Sequence, residues 1–275
     1  MKRVTEAGVL LEAMDRIERS GAEFAVSFFA PASKIEVWSA EGVLSILPCE
    51  GALLILRHDG PLLRVSHLAS DQPSLSAALG KLIAMMPDQL MVADLVGKPG
   101  DIERVAQAYR RHGFAPYAQL VRMQRMGVPT MTADGVVGVE LARAEDVPTL
   151  HAFMQRWLDP LSEQIQGVRE LQEAVAASAV FVVRAGCELA GFLILEATGQ
   201  SAVLRYWHVA GHCHGQGIGS RLMHAFFGRC ASSRRVTLWV VADNVDAIAK
   251  YHHYGFSEDG MIDSIMVRRA ETATR

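Results

Sequence analysis

The segment His214-Gly215-Gln216-Gly217-Ile218-Gly219 carries the sharpest chemical signal in the sequence. It follows an apolar run ending at Val209 and precedes a helical pattern holding Leu222, Met223 and Phe226. Glycines at that point let the backbone turn so that successive N–H groups point one way. A helix N-terminus adds its dipole, and the combination holds phosphate. A plain strand-to-helix turn needing positive φ would use the same glycines, so the loop alone leaves both readings open. Further on stand Asn244, Ala247, Tyr251 and Gly255-Phe256. On a helix, positions 244, 247/248 and 251 share a face, which would let an amide and a phenol line one cleft.

Histidines gather in the same half, at 208, 212, 214, 252 and 253. Their spacing on a tight loop does not give a tetrahedral set, so no metal is expected and surface histidine is the simpler reading. The four cysteines, Cys49, Cys187, Cys213 and Cys230, are widely and irregularly spaced, which points to reduced thiols rather than a disulfide frame. Cys213 lies beside a helix start, where a thiol pKa can be lowered.

The elements that must position these groups follow from periodicity. A helical pattern over 9–17 is expected to stop at Gly21. Apolar runs at 42–47, 52–56 and 61–68, separated by Glu50-Gly51 and Asp59-Gly60, predict an antiparallel meander. A helix over 74–86, a strand at 90–96, a helix over 100–112 closed by Gly113 and a strand at 118–126 complete the first half. After the turn-prone stretch from Val128-Pro129 to Asp134-Gly135 the order recurs. It runs through a strand at 137–141, helices over 145–158 and 162–177 split by Asp159-Pro160, and strands at 180–184, 189–196 and 202–209. A helix over 217–230, a strand at 236–241, a helix over 245–254 and a strand at 261–268 follow. Tyr109-Arg110-Arg111-His112-Gly113-Phe114 answers Tyr251-His252-His253-Tyr254-Gly255-Phe256, so the halves read as structural copies, divided into 1–130 and 131–275.

With both motifs in register, residues 131–270 resemble the GNAT superfamily of acyl-CoA-dependent N-acyltransferases. That family's phosphate loop reads Arg/Gln-x-x-Gly-x-Gly/Ala, and its later segment reads Asn-x-x-Ala-x-x-x-Tyr-x-x-x-Gly-Phe. The resemblance implies an α/β (α+β) protein of two GNAT-like domains, each a mixed, largely antiparallel sheet flanked by helices. It implies acetyl-CoA as co-substrate, its arm lying along Val209 and its pyrophosphate on the amides of Gly215, Gln216, Gly217, Ile218, Gly219 and Ser220. Asn244 would contact the arm, and Tyr251 would protonate the departing thiolate, a role suited to an ordinary phenol pKa of about 10. His214 departs from the family's Arg or Gln; it can still donate to phosphate, without the guanidinium fork.

An aliphatic ammonium is only about a thousandth deprotonated at pH 7, so amine transfer would gain from a base. The run 202–209 holds no carboxylate. Period two puts Tyr206 and His208 on one face and Arg205 and Trp207 on the other. His208 and Glu196 are the candidate bases, with a water chain as the alternative. Trp157 and Asp159, in the segment that closes over the acceptor in similar proteins, are candidates for holding an ammonium. In the first half, His67 to Ser74 has no Gly-x-Gly, carries Asp71 and places Pro73 where an N–H is wanted. It is expected to bind no coenzyme A, and the first half reads as a degenerate copy that supports the second.

Composition sets the outer limits. Of 275 residues 50% are hydrophobic and 21% charged, which fits a folded chain of about two domains. Its 27 basic against 30 acidic residues exclude general nucleic-acid binding. No targeting signal or membrane span is read, so a cytoplasmic protein with a small-molecule amine partner is expected. A non-catalytic acyl-CoA sensor is the alternative, and Tyr251 favours the enzyme. A Rossmann dehydrogenase is excluded, because the glycines follow an antiparallel meander and no acidic ribose ligand follows.

Overall fold

Each apolar run of the sequence has two faces to bury, and the chain meets that demand with two three-layer units. The computed structural model describes residues 1–19, 25–127, 136–186 and 188–269. The expected linker at 128–135, the stop at Gly21 and Cys187 lie outside them. One compact unit comprises residues 1–120 together with the chain from Met261 onward; the other is 121–260. The sequence-based division placed the later segment entirely with the second half.

Unit 1 begins with β1 (Lys2–Arg3), α1 (Ala7–Glu18), β2 (Ala25–Val26) and α2 (Ala32–Glu41). The meander follows as β3 (Leu44–Cys49), β4 (Ala52–Asp59) and β5 (Leu62–Ala69), paired antiparallel as expected. Gly51 and Gly60 turn it at φ 65° and 57°, values that only glycine takes without strain. Then come α3 (Gln72–Met85), β6 (Leu90–Gly97), α4 (Pro99–Arg111) and β7 (Ala115–Met126). On β4 the period of two is complete. Leu54 and Leu56 pack with α3 and α4, and Leu53 and Ile55 pack with α1 and α2.

Helix α2 has no counterpart in the sequence reading. Ile35, Val37, Trp38 and Ser39 are all buried, so the helix shows no one-sided stripe, although Gly42 ends it in the left-handed region.

Unit 2 contains β8 (Glu140–Leu141), a 3-10 turn at Ala144–Asp146, α5 (Val147–Trp157), α6 (Val168–Ala176), β9 (Val180–Ala185), β10 (Glu188–Thr198) and β11 (Ser201–Val209). A second 3-10 turn, Gly211–Cys213, leads into α7 (Ile218–Arg229), β12 (Arg235–Val241), α8 (Val245–His253) and β13 (Ser257–Arg268). Leu193 and Leu195 of β10 face α7, while Phe192 and Ile194 face α5 and α6. The helix expected from 162 starts only at Val168. Glu170 Oε2 accepts from the Gly167 N–H and fixes the helix start there.

Each unit contains a parallel strand pair. In unit 2, β11 and β12 pair only from Ser201↔Arg235 to Leu204↔Leu238, and β11 then continues to Val209 without a ladder partner on that side. In unit 1, β5 and β6 pair from Leu62↔Leu90 to Arg64↔Val92, and β5 continues to Ala69.

The boundary between units falls inside β7 and β13. From Val121, β7 belongs to unit 2, where it lies beside β12. From Ile262 to Arg268, β13 pairs antiparallel with β6 in unit 1. Among the described residues Cys49, Cys213 and Cys230 are free thiols.

Ending the chain at Gly260 deletes the ladder partner of β6. The expected outcome is loss of amide protection from Ala93 to Gly97 in hydrogen exchange, together with a lower unfolding temperature. Unchanged protection would show that β6 holds its place without β13.

Candidate active site

The glycine loop adopts the backbone its sequence calls for. Gly215 and Gly217 have φ 77° and 69°, and an added Cβ at either would meet nothing within 4 Å, so both face open space. Gly217 is the left-handed N-cap of α7. Among the described residues, no backbone acceptor takes the N–H groups of Gly215, Gln216, Gly217, Ile218, Gly219 or Ser220; the first bond across the helix start is Arg221 N–H to the Gly217 carbonyl, 3.1 Å. Six donors at a helix N-terminus beside the parted ends of β11 and β12 form a cradle for an anionic group.

Gly219 serves a different purpose. A Cβ there would come within 3.1 Å of the Trp207 ring, so the third glycine lets α7 lie close on β11. His214 Nε2 donates to the Val209 carbonyl, 3.0 Å, which engages the strand-end acceptor assigned to the coenzyme arm. Cys213 is buried in the apolar core below the loop.

Tyr251 is 8% exposed and packs on Trp207 and Phe256, with ring centroids 5.6 and 6.0 Å away. Burial, with the charge of Glu163 adding to it, raises its phenol above the ordinary value on which the sequence reading relied. Asn244 precedes α8 as its N-cap. Its Oδ1 accepts from the Ala247 N–H, 3.1 Å, so only the Nδ2 group is left toward the cleft.

The candidate bases fare differently. His208 lies among Phe153, Phe192 and Trp157, with centroids 5.3, 6.2 and 6.4 Å away, and burial lowers its pKa, with charge on His214 a further cause. Glu196 accepts from Gln166 Nε2, 3.4 Å. Trp157 is 49% exposed, and the Arg156 guanidinium already covers its ring at 5.1 Å. The Asp159 carboxylate accepts from the Leu161 N–H at 3.1 Å, the Ser162 N–H at 3.3 Å and Ser162 Oγ at 2.7 Å, so it shapes its own loop.

Arg205 lies on the face of Tyr206, not on that of Trp207 as the period of two implied. The register of β10 against β11 passes from Ile194↔Tyr206 to Leu195↔Leu204, a bulge that leaves Arg205 unpaired. Arg205 therefore turns toward the side of Tyr206, and both donate to the Gln164 carbonyl. Trp207 stays on the opposite face, against Tyr251 and Tyr254.

Glu163 is the residue the sequence reading passed over. It stands in the ordered loop before α6, where its N–H bonds the Asp159 carbonyl, 2.8 Å. Burial pushes its carboxyl up to about 7, with Arg205 opposing and Asp159 adding to the rise. Its charge reaches both Tyr251 and Tyr206. Nearby, Arg205 Nε and Gln166 Oε1 are buried without a hydrogen-bond partner, a donor and an acceptor left for something else. Among the described residues, no group of three or more His, Cys, Asp or Glu is placed to hold a metal.

These features coincide with a known family. Residues 146–256 match the model of the acetyltransferase (GNAT) family. This segment is similar to that family. A comparison with curated proteins returns no match. Among solved structures, a tandem GNAT protein from the clavulanic acid biosynthesis pathway aligns with a TM-score of 0.57 at 16% identity, over 97% of this chain and 95% of its own. GCN5-related N-acetyltransferases from Kribbella flavida (TM-score 0.55, 14% identity, 98% and 96% covered) and Sphaerobacter thermophilus (0.55, 13%, 96% and 92%) align similarly. At these identities the likeness establishes the fold, that of tandem GNAT proteins.

Gly219→Ala tests the packing of the glycine loop. Its Cβ would press on Trp207, and the expected cost is about 1–3 kcal/mol in urea unfolding, the usual range for overpacking. A neutral result would mean that the Trp207 ring moves freely and that the third glycine has no packing role.

Proposed function

We propose that unit 2 transfers an acetyl group from acetyl-CoA to the primary amine of a small molecule by direct attack. The parted strands with the unpartnered N–H groups of Gly215 to Ser220 carry this reading. They suit a pyrophosphate, and an extended arm fits beside the unladdered end of β11. Acetyl-CoA supplies an activated thioester. The remaining chemistry falls to this chain's own side chains.

His214 would exchange the Val209 carbonyl for a phosphate oxygen and so release that strand end to the arm. Asn244 Nδ2 offers a further donor. Glu163 takes the proton from the incoming ammonium, because a carboxyl with a pKa of about 7 is divided between acid and base near neutral pH. Its ionised form is also attractive to a cation. Tyr251 gives its hydroxyl proton to the leaving sulfur. As the amide forms, the nitrogen gives up a second proton, which returns to Tyr251; the net result is one proton gained at Glu163, which solvent removes. Burial makes a Tyr251 phenolate costly, so its contribution lies at the lower end for general acids. Phe153, Phe192, Trp157 and His208 give the acceptor an aromatic wall, which favours an amine with an apolar portion.

Three measurements examine this proposal. Calorimetry with coenzyme A is expected to give one site per chain. Tyr251→Phe is expected to retain coenzyme A binding and to lower kcat about 10²-fold with little change in KM. The rate with wild-type protein should rise through an inflection near pH 7 as Glu163 loses its proton; Glu163→Gln should remove the inflection and lower kcat by about 10²-fold or more. Should an extensive amine panel release no thiol while coenzyme A binds, the protein is a sensor instead.

A further inference from the structure

Unit 1 repeats the parted strands of unit 2 and keeps a cavity where they part. It measures about 650 Å³ and is bordered by β2, the end of β5, the start of α3, the end of β6 and the start of α4. That volume is in the range of small-molecule sites. Its walls are mainly apolar, with Val26, Leu75, Leu95, Ile102 and Val105 among them. Phe29 stands at its border and is 61% exposed.

One polar group in this lining is incompletely satisfied. His67 is 1% exposed, and its Nε2 is buried without a hydrogen-bond partner. Its Nδ1 lies 3.0 Å from Ser27 Oγ and 2.9 Å from the Tyr109 hydroxyl. Ser27 Oγ accepts from the His67 backbone N–H, 3.0 Å, so its own proton is free to be donated. Two buried hydroxyls meet one ring nitrogen; a proton on Nδ1 would leave both hydroxyl protons without that acceptor, so the ring is best used with Nδ1 accepting from one of them. The ring proton then sits on Nε2, and the unpartnered group is a donor.

The same surroundings decide what kind of acceptor fits. Burial lowers the His67 pKa to about 4, so the ring is neutral at physiological pH. The charge of Asp94 acts on Tyr109. An anion beside this neutral ring would lose its hydration without gaining a counter-charge. The start of α3 gives phosphate no cradle. Asp71 Oδ1 takes the Ser74 N–H at 2.7 Å, Pro73 has no N–H, and Ser70 N–H is bonded to the Gly51 carbonyl at 2.8 Å. The nucleotide part of coenzyme A therefore has no counterpart site here. At the mouth, Arg104 and Asp101 face each other at 3.7 Å and both are exposed.

We infer that the cavity of unit 1 binds a small, uncharged molecule whose apolar body enters between the parted strands and whose carbonyl oxygen accepts from His67 Nε2–H. Amides and esters of short acyl chains belong to this class. The site lies within unit 1 and would let that copy sense or hold an acylated metabolite.

Calorimetry on the full chain with octanamide as probe, and octanoate and octylamine as controls, tests the inference. Octanamide is expected to bind once per chain, with octanoate and octylamine at least about tenfold weaker. His67→Phe keeps the ring volume, removes the donor and should weaken octanamide about tenfold, the value of one buried hydrogen bond. Since His67 also holds Ser27 and Tyr109, Val105→Trp provides an independent variant. It fills the cavity from α4 and should abolish octanamide binding, with coenzyme A binding and the unfolding temperature retained. Failure of octanamide to bind the wild-type chain, equal binding of octanoate, or binding that survives both variants would each overturn the assignment.

Discussion

The parting of two parallel strands sets the terms for everything else in each unit. A parallel pair needs a crossover, here a helix, and that helix must start above the strand ends. Once β11 and β12 separate after Leu204↔Leu238, the far end of β11 has backbone groups without ladder partners, and the N-terminus of α7 stands beside them. A polar, directional cleft follows from backbone geometry before any side chain is chosen. The side chains then specialise it. Glycines at 215 and 217 expose amides, Gly219 brings the helix close to Trp207, and Tyr251 packs on the Trp207 ring.

The two copies show how little is needed to change what such a cleft accepts. Unit 2 has glycine where the chain leaves β11, and its amides face outward. Unit 1 has Asp71 and Pro73, which satisfy or remove the same donors. Tyr251 packs beside the partly buried indole of Trp207, whereas Tyr109 is bonded to His67. A shared scaffold thus carries a polar surface rich in N–H donors in one copy and a mostly apolar one in the other.

Much of this was legible in the sequence, and the parts that were not share a cause. The meander from Leu44 to Ala69 could be read because alternation and the turns at Gly51 and Gly60 are local signals. The glycine loop and the Tyr-x-x-x-Gly-Phe copies were legible for the same reason. Helix α2 escaped because its residues are buried nearly all round. Glu163 escaped because residues 162–167 have helical composition, yet the Gln164 carbonyl is held by Arg205 and Tyr206 from another strand. The face of Arg205 depends on a bulge against β10, and the sheet joined by β13 depends on β6; both are relations between segments far apart in sequence.

The placement of β13 has a bearing on how the protein is made. Its ladder with β6 completes the sheet of unit 1, but β13 follows all of unit 2 in the chain. At a synthesis rate of about 5–20 residues per second, β6 emerges from the ribosome roughly ten seconds or more before its partner. During that interval the edge of β6 from Met91 to Gly97 is an open template for any other strand. The first half to be synthesised is therefore the last to close, and the nascent chain needs protection of that edge until its late strand arrives.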